Sequence, residues 1–138
     1  MENKNYETLE LDKVLDMLAN KCSNDDSKKI ALSTVPSCDL FTVKQEVKKT
    51  AEALEMSVKY GTPGFYSIHN VSASLNRAKA GGILSLSELL EIKKVLGQTY
   101  ELYRWYEQAE NKDTSLSYLF DSLFPNKYLW QRLETAII

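Results

Sequence analysis

The sequence predicts an all-α protein, an irregular bundle of about six to seven helices that includes one long helix. Apolar residues recur at intervals of three and four in one segment after another, which is the period of a helix with one buried face. Capping residues, glycines and prolines separate these segments. No stretch shows sustained, strict alternation of apolar and polar residues, so we expect no sheet.

A single helical domain is expected over residues 1–138. A chain of 138 residues with 43% hydrophobic content is long enough for one core. The 17 lysines and arginines stand against 19 aspartates and glutamates, which gives a formal net charge of −2. This is not the strongly basic balance of an autonomous nucleic-acid-binding domain. Any contact with nucleic acid would therefore need a local basic patch.

The cysteines and the lack of long apolar runs favour a cytoplasmic protein. Cys22 and Cys38 have no CxxC spacing and no neighbouring histidine, which argues against a zinc site or a disulfide framework. No apolar stretch approaches the length that spans a bilayer, and no secretory leader is recognisable. We expect reduced thiols and no membrane contact.

The first helix is expected to begin near Leu11, where apolar residues start to recur at spacings of three and four. The expected core-facing stripe consists of Leu11, Val14, Leu15, Leu18 and Cys22. A shorter second helix is expected over Lys28 to Thr34, after a weak capping box of Ser23 and Asp26. Pro36 ends this helix, because a proline ring disfavours helical geometry in the residue before it.

The third helix is expected to run from about Leu40 to Tyr60, with Asp39 as its N-cap and Gly61 as its left-handed C′ residue. Its expected core line consists of Val43, Val47, Ala51, Leu54 and Val58. A loop follows at residues 62–64. The side chains expected to hold this loop against the core are Phe65, Tyr66 and Ile68.

A corner between two helices is expected next. Asn70 is the N-cap of a short helix, and Gly81 at C′ followed by Gly82 forms a hinge. Ser85 and Glu88 then form a capping box for the following helix. The apolar side of the short helix consists of Val71, Leu75 and Ala78. We expect this side to fold back onto the following helix.

The fifth helix is expected to be the longest and to end near Glu110. Its apolar stripe contains Leu89, Ile92, Leu96, Thr99, Tyr103 and Tyr106. Gly97 inside it costs roughly 1 kcal/mol relative to alanine. A sixth helix is expected from Leu116 to Leu123, and a last one after Pro125-Asn126 with Leu129, Trp130, Leu133 and Ile137. Because the chain ends on Ile137-Ile138 without helix-terminating residues, we expect the polypeptide to continue.

Several blocks of the sequence, read in order, resemble one bacterial family. The corner contains Leu75-Asn-Arg-Ala-Lys-Ala-Gly-Gly-Ile-Leu-Ser-Leu-Ser-Glu-Leu-Leu-Glu-Ile92, and Leu9-Glu-Leu-Asp-Lys-Val-Leu15 stands near the start. Val35-Pro-Ser-Cys-Asp39 and Thr50-Ala-Glu-Ala53 lie between them. Together these blocks are similar to the N-terminal region of the second-type MutS-like proteins, the family of Smr-domain endonucleases and recombination suppressors. The chain departs from the family pattern at residues 62–67 and at Asn70, where an aspartate is usual.

The resemblance implies a fold like the core and lever region of MutS, in a chain that stops before the ATPase domain. It implies a full-length dimer that uses ATP and Mg²⁺ and acts on branched DNA, to suppress recombination, or on collided ribosomes. The segment itself would be a structural connector without enzymatic activity. The alternative is a stand-alone helical module whose exposed faces bind another protein.

No catalytic, cofactor or metal site is expected within this chain. Gly81-Gly82 is not followed by the lysine of a P-loop, and His69 is the only histidine. The candidate contacts to nucleic acid are Lys44, Lys48, Lys49, Arg77 and Lys79. Acidic residues are interleaved with them, so a solvated charged surface is the alternative interpretation; these are Glu46, Glu52, Glu88 and Glu91.

Overall fold

The computed structural model describes residues 8–137, and within this range it contains seven helices and no strand. The helices are α1 (Leu11–Ala19), α2 (Asp25–Leu32), α3 (Leu40–Tyr60), α4 (Ser72–Lys79), α5 (Leu86–Glu107), α6 (Ser117–Asp121) and α7 (Lys127–Ala136). The predicted all-α architecture is confirmed. The 22-residue α5 is the longest described helix, although α3 with 21 residues nearly equals it. Ile138, part of the apolar chain end, lies outside the described residues.

None of the helices in residues 8–137 combines the length and the apolarity that crossing a bilayer would require. The longest of them, α5, carries charged residues along its whole length, from Glu88 near its start to Glu107 at its end. Lysines and glutamates are distributed along α3 in the same way.

Four helices begin with a side chain that accepts a hydrogen bond from a backbone N–H of the first turn. Asp39 accepts from Thr42 at 2.8 Å and Ser85 from Glu88 at 3.3 Å, as the sequence predicted. Asn126 caps α7 in the same way. The cap of α2 is Asn24, not Ser23, because only the Asn24 side chain reaches the amide of Ser27. The helix accordingly starts at Asp25, earlier than predicted.

The core is small and lies where the C-terminal halves of α3 and α5 meet the loop before α6. Met56, Tyr106 and Ala109 are buried there. The rings of Tyr106 and Phe120 stack with centroids 4.1 Å apart and planes 4° apart. The partly buried side chains around them are Tyr60, Trp105, Leu116 and Phe120. Aromatic packing at this end therefore holds α3, α5 and α6 together.

The core line predicted for α3 is wrong. Val47, Leu54 and Val58 are 62%, 66% and 79% exposed. The half-buried or buried positions form a different face of the same helix and are instead Lys49, Glu52, Met56, Ser57 and Tyr60. The helical period shows which residues share a face, but it does not show which face a neighbouring element covers.

The stripe predicted for α1 is only partly buried. Ala19 is the buried residue of this helix, whereas Val14 and Leu18 are exposed. Among the helices that the structure describes, extensive mutual contact occurs in two pairs, α1 with α2 and α5 with α7. The α5–α7 pair is the one that builds an aromatic surface, because Trp130 of α7 stacks on Tyr100 of α5 with ring centroids 6.0 Å apart.

Candidate functional site

The hinge after α4 has the hydrogen bonds of a Schellman motif. The Gly82 N–H donates to the carbonyl of Arg77 at 2.9 Å, and the Gly81 N–H donates to the carbonyl of Ala78 at 2.9 Å. Gly81 has φ of +85°, which confirms its predicted place at C′. A Cβ on Gly82 would lie 2.6 Å from Cγ of Arg77 and 3.0 Å from its carbonyl oxygen, so this position also requires glycine.

Glu88 connects the two helices of the corner. One carboxylate oxygen accepts hydrogen bonds from the backbone N–H and the hydroxyl of Ser85, at 2.9 and 3.0 Å. The other accepts from the Ser74 hydroxyl at 2.8 Å and pairs with Arg77. These donors, the Ser85 amide first, lower the pKa of Glu88 from 4.5 to about 2. The carboxylate that completes the predicted capping box also binds α4 to α5.

The apolar side of α4 does not form the contact predicted for it. Leu75 and Ala78 are exposed, Val71 is half-buried, and α4 has no buried residue. Glu88 on α5 instead contacts the hydroxyl of Ser74 and the guanidinium of Arg77 on α4. Polar contacts therefore hold the corner together. The distance between the helices is therefore set by hydrogen-bonded groups and not by apolar packing.

The prediction that Asn70 is the N-cap of α4 is wrong by one residue, because the helix begins at Ser72 and Asn70 lies one position before the N-cap. The N-cap position belongs to Val71, and the side chain of Asn70 accepts a hydrogen bond from the Ser72 N–H at 2.9 Å. Its Nδ2 donates to Asp26 at 2.8 Å, which connects the start of α4 to α2. Asn70 thus retains a capping contact and adds a tertiary one.

Gln98 is a structural anchor that the sequence pattern does not reveal. It is 4% exposed, its Oε1 accepts from the Tyr66 N–H at 2.6 Å, and its Nε2 donates to the Gly64 carbonyl at 2.6 Å. The indole Nε1 of Trp105 also donates to the Gly61 carbonyl at 2.9 Å. The predicted anchors Phe65 and Tyr66 are largely exposed, because backbone hydrogen bonds hold this loop to α5 instead.

The five predicted nucleic-acid contacts do not form one free basic patch. Carboxylates pair with three of them: Lys48 with Glu52 at 3.7 Å, Lys49 with Glu46 at 2.7 Å, and Arg77 with Glu88. Within residues 8–137, Lys44 and Lys79 make no ion pair. They lie on α3 and α4, two helices without extensive mutual contact. Contact of these residues with nucleic acid stays a prediction.

Two further features bear on chemistry and binding. In the described part of the chain, no group of three or more His, Cys, Asp or Glu side chains is arranged to hold a metal ion. An apolar cavity of about 300 Å³ lies between α3, α5 and α6. Met56, Leu102, Trp105 and Phe120 contribute to its wall. It extends the apolar core to the surface without adding a catalytic group.

The chain is similar over its full length to proteins named endonuclease MutS2. Identity with the protein from Agathobacter rectalis is 36% over 140 aligned positions, covering 100% of this chain. Identity with the protein from Acetivibrio thermocellus is 30% over 141 positions, again covering 100% of this chain. The chain belongs to the MutS2 family.

The match to MutS2 concerns the N-terminal region of the relatives. The chain spans 18% of the length of the Agathobacter and Acetivibrio MutS2 proteins. The MutS2 of Caldicellulosiruptor saccharolyticus is 32% identical over 80% of this chain and 14% of its own length. No family model and no solved structure matches the sequence. The predicted family is thus confirmed by several MutS2 relatives.

Proposed function

We propose that this chain serves as a helical connector in a MutS2-type protein and carries no catalytic chemistry itself. The relatives are named endonucleases, and the chain matches less than a fifth of their length. In this proposal the whole protein uses ATP and Mg²⁺, forms a homodimer, and acts on branched DNA or on collided ribosomes in the cytoplasm. The segment described here connects the parts that bind nucleic acid to the parts that hydrolyse nucleotide.

The observation that carries the connector role is the exposed apolar surface of α3. Val47, Leu54 and Val58 are largely exposed, and residues 40–48 are exposed on all sides of the helix. Full burial of one such side chain contributes roughly 1.5–3 kcal/mol. A long helix with this many uncovered apolar side chains is typical of a surface that another element covers.

The geometry of the long helices also supports a mechanical role. The 22 residues of α5 extend over about 33 Å, because each residue of an α-helix adds 1.5 Å. Its start is held to α4 by Glu88, and its end lies in the aromatic core with Tyr106. A helix fixed at both ends can transmit a displacement from one end to the other.

A chimaera tests the proposal. This chain would replace the matching N-terminal region of the Agathobacter rectalis MutS2, and ATP hydrolysis and binding to a four-way DNA junction and to ribosomes would be measured. We expect activity close to that of the parent. Val47→Asp and Leu54→Asp, introduced singly, should each reduce the activity of the chimaera at least tenfold. Each places a charge on the face of α3 that another element covers in the proposed whole protein. Gln45→Asp, which adds the same charge at an exposed polar position, is the matched control.

The alternative function, a stand-alone helical interaction module, predicts a different result. Full activity of the chimaera with Val47→Asp and Leu54→Asp would contradict the connector role and favour this alternative. ATP hydrolysis by the isolated, purified chain would contradict both proposals, since each places no chemistry in these residues.

A further inference from the structure

Two cations from different helices approach the ring of one tyrosine. Nζ of Lys127, at the start of α7, lies 5.6 Å from the ring centroid of Tyr100. Cζ of Arg104, one turn further along α5 than Tyr100, lies 5.9 Å from the same centroid. Because Trp130 stacks on Tyr100, the contact between α5 and α7 brings together two cations and two aromatic rings.

Within residues 8–137, Arg104 has no carboxylate partner, because its acidic neighbours on α5 interact with other residues. Glu101, three residues earlier, is hydrogen-bonded to the Tyr66 hydroxyl, an interaction that raises the pKa of Tyr66. Glu107, three residues later, pairs with Lys112 at 2.7 Å. Among residues 8–137, no carboxylate pairs with Arg104 or with Lys127, and both side chains are exposed. Both positive charges are therefore available to an anion.

A second cation–aromatic pair lies on α7, the helix that begins with Lys127. Tyr128 follows Lys127 directly and is 68% exposed. Nη1 of Arg132 donates to the Tyr128 hydroxyl at 3.0 Å, and its Cζ lies 5.8 Å from the ring centroid. A shallow depression of about 380 Å³ beside them is lined by five residues, none of them acidic: Tyr128, Gln131, Arg132, Thr135 and Ala136. Arg132 also has no ion pair among the described residues.

We propose that these five residues, Tyr100, Arg104, Lys127, Tyr128 and Arg132, form a cation–aromatic surface that binds single-stranded nucleic acid. The three cations contact phosphates, and the exposed tyrosine ring stacks on a base. The surface contrasts with Lys48, Lys49 and Arg77, whose charges are offset by carboxylates. The inference rests on the proposed function only in taking nucleic acid as the class of partner.

The arrangement favours a single strand over a duplex. Bases of a duplex are stacked on one another and present only their edges, so an exposed tyrosine ring has no base face to pack on. Two cation–aromatic groups, one around Tyr100 of α5 and one around Tyr128 of α7, match a flexible backbone that alternates phosphates with accessible bases. The net charge of −2 and the small number of cations predict weak, salt-sensitive binding.

The test uses the intact 138-residue chain and fluorescently labelled oligonucleotides. Anisotropy titrations would compare dT15 and rU15 with a blunt 15-base-pair duplex at several salt concentrations. We expect both single strands to bind more tightly than the duplex. Arg104→Gln with Lys127→Gln should weaken single-strand binding about tenfold. It should also lower the slope of log affinity against log salt by about 0.7 for each phosphate that the variant no longer neutralises. Tyr128→Ala should weaken binding about fivefold without changing this slope.

The control removes the same charge elsewhere: Lys21→Gln with Lys29→Gln neutralises two exposed lysines near the start of the chain that are not among the candidate nucleic-acid contacts. We expect it to change the affinity less than twofold. An equal loss of affinity in this control would overturn the proposal, because the binding would then follow net charge alone. Equal affinity for duplex would overturn it as well, and so would competition by poly-glutamate at concentrations that match the oligonucleotide. None of these results affects the chimaera assay, so failure of this inference and failure of the connector role are distinguishable.

Discussion

Trp130 lies directly over Gly97: a Cβ on this glycine would be 3.2 Å from the indole Nε1. The same ring stacks on Tyr100, so this one side chain of α7 contacts an aromatic ring of α5 and also needs a gap in that helix. The sequence alone identifies Gly97 only as a glycine in a helix interior, where alanine would be favourable by about 1 kcal/mol. The structure gives this glycine a packing role.

Gly97→Ala should therefore lower the thermal midpoint by about 2–4 °C, because displacement of the indole outweighs the gain in helix propensity. The sequence alone predicts an unchanged or raised midpoint. The measurement is thermal unfolding followed by circular dichroism. In a Trp130→Leu background the same substitution should raise the midpoint, since the obstructing ring is gone. A rise in both backgrounds would show that Trp130 moves aside without cost.

The two hinge glycines should differ in what they tolerate. Gly81 has φ of +85° and open space around its Cβ position, so Gly81→Val should cost at least roughly 1–2 kcal/mol from backbone strain. Gly81→Asn should be mild, because asparagine adopts this conformation more readily. Gly82→Ala should destabilise through a steric clash with Arg77, in spite of its ordinary φ. Urea titrations of the three variants would test this order; equal stability of Gly81→Val and the parent would contradict it.

Three helix caps could be predicted from the sequence because their causes are local. Asp39, Ser85 and Gly81 act within three or four residues of their own position, and the structure finds each in its predicted role. The covered faces could not be predicted in this way. Burial of Val47 or Leu75 depends on which element packs against it, and the apolar period contains no such information.

In the candidate sites, too, local contacts could be predicted from the sequence and contacts between helices could not. Glu88 was predicted as a local cap, but its contacts with Ser74 and Arg77 depend on the angle at which α4 meets α5. The apolar pattern of α5 does not indicate that Gln98 is an anchor. A polar residue on this helix is recognised as an anchor only when its backbone partners, here Gly64 and Tyr66, are known. Arg104 and Lys127 lie 23 residues apart, and only the packing of α7 on α5 brings both to Tyr100.

The buried amide of Gln98 predicts a pH-dependent variant. In Gln98→Glu one carboxyl oxygen still accepts from the Tyr66 N–H, but the other faces the Gly64 carbonyl and repels it unless it is protonated. The folded state therefore raises the pKa of this new carboxyl. The variant should approach parental stability below pH 4 and lose roughly 1–3 kcal/mol as the pH rises to 7. Gln98→Met, which leaves both backbone groups unpaired at every pH, is the control and should show a constant loss.

The opposite pH dependence is expected for Glu88. Its folded pKa of about 2 lies below the ordinary value of 4.5, so its contribution to stability is fully present above pH 4.5. This contribution is lost as the pH falls through the folded value, because a protonated carboxyl no longer accepts from the Ser85 amide and Arg77 as a charged group. Glu88→Gln should consequently lower the thermal midpoint at pH 7 and approach the parent near pH 2. Glu55→Gln, at an exposed position of α3, removes the same charge and should leave the midpoint unchanged at both values. If the deficit of Glu88→Gln persisted undiminished at pH 2, the loss would come from altered shape at the corner and not from the carboxylate charge that joins α4 to α5.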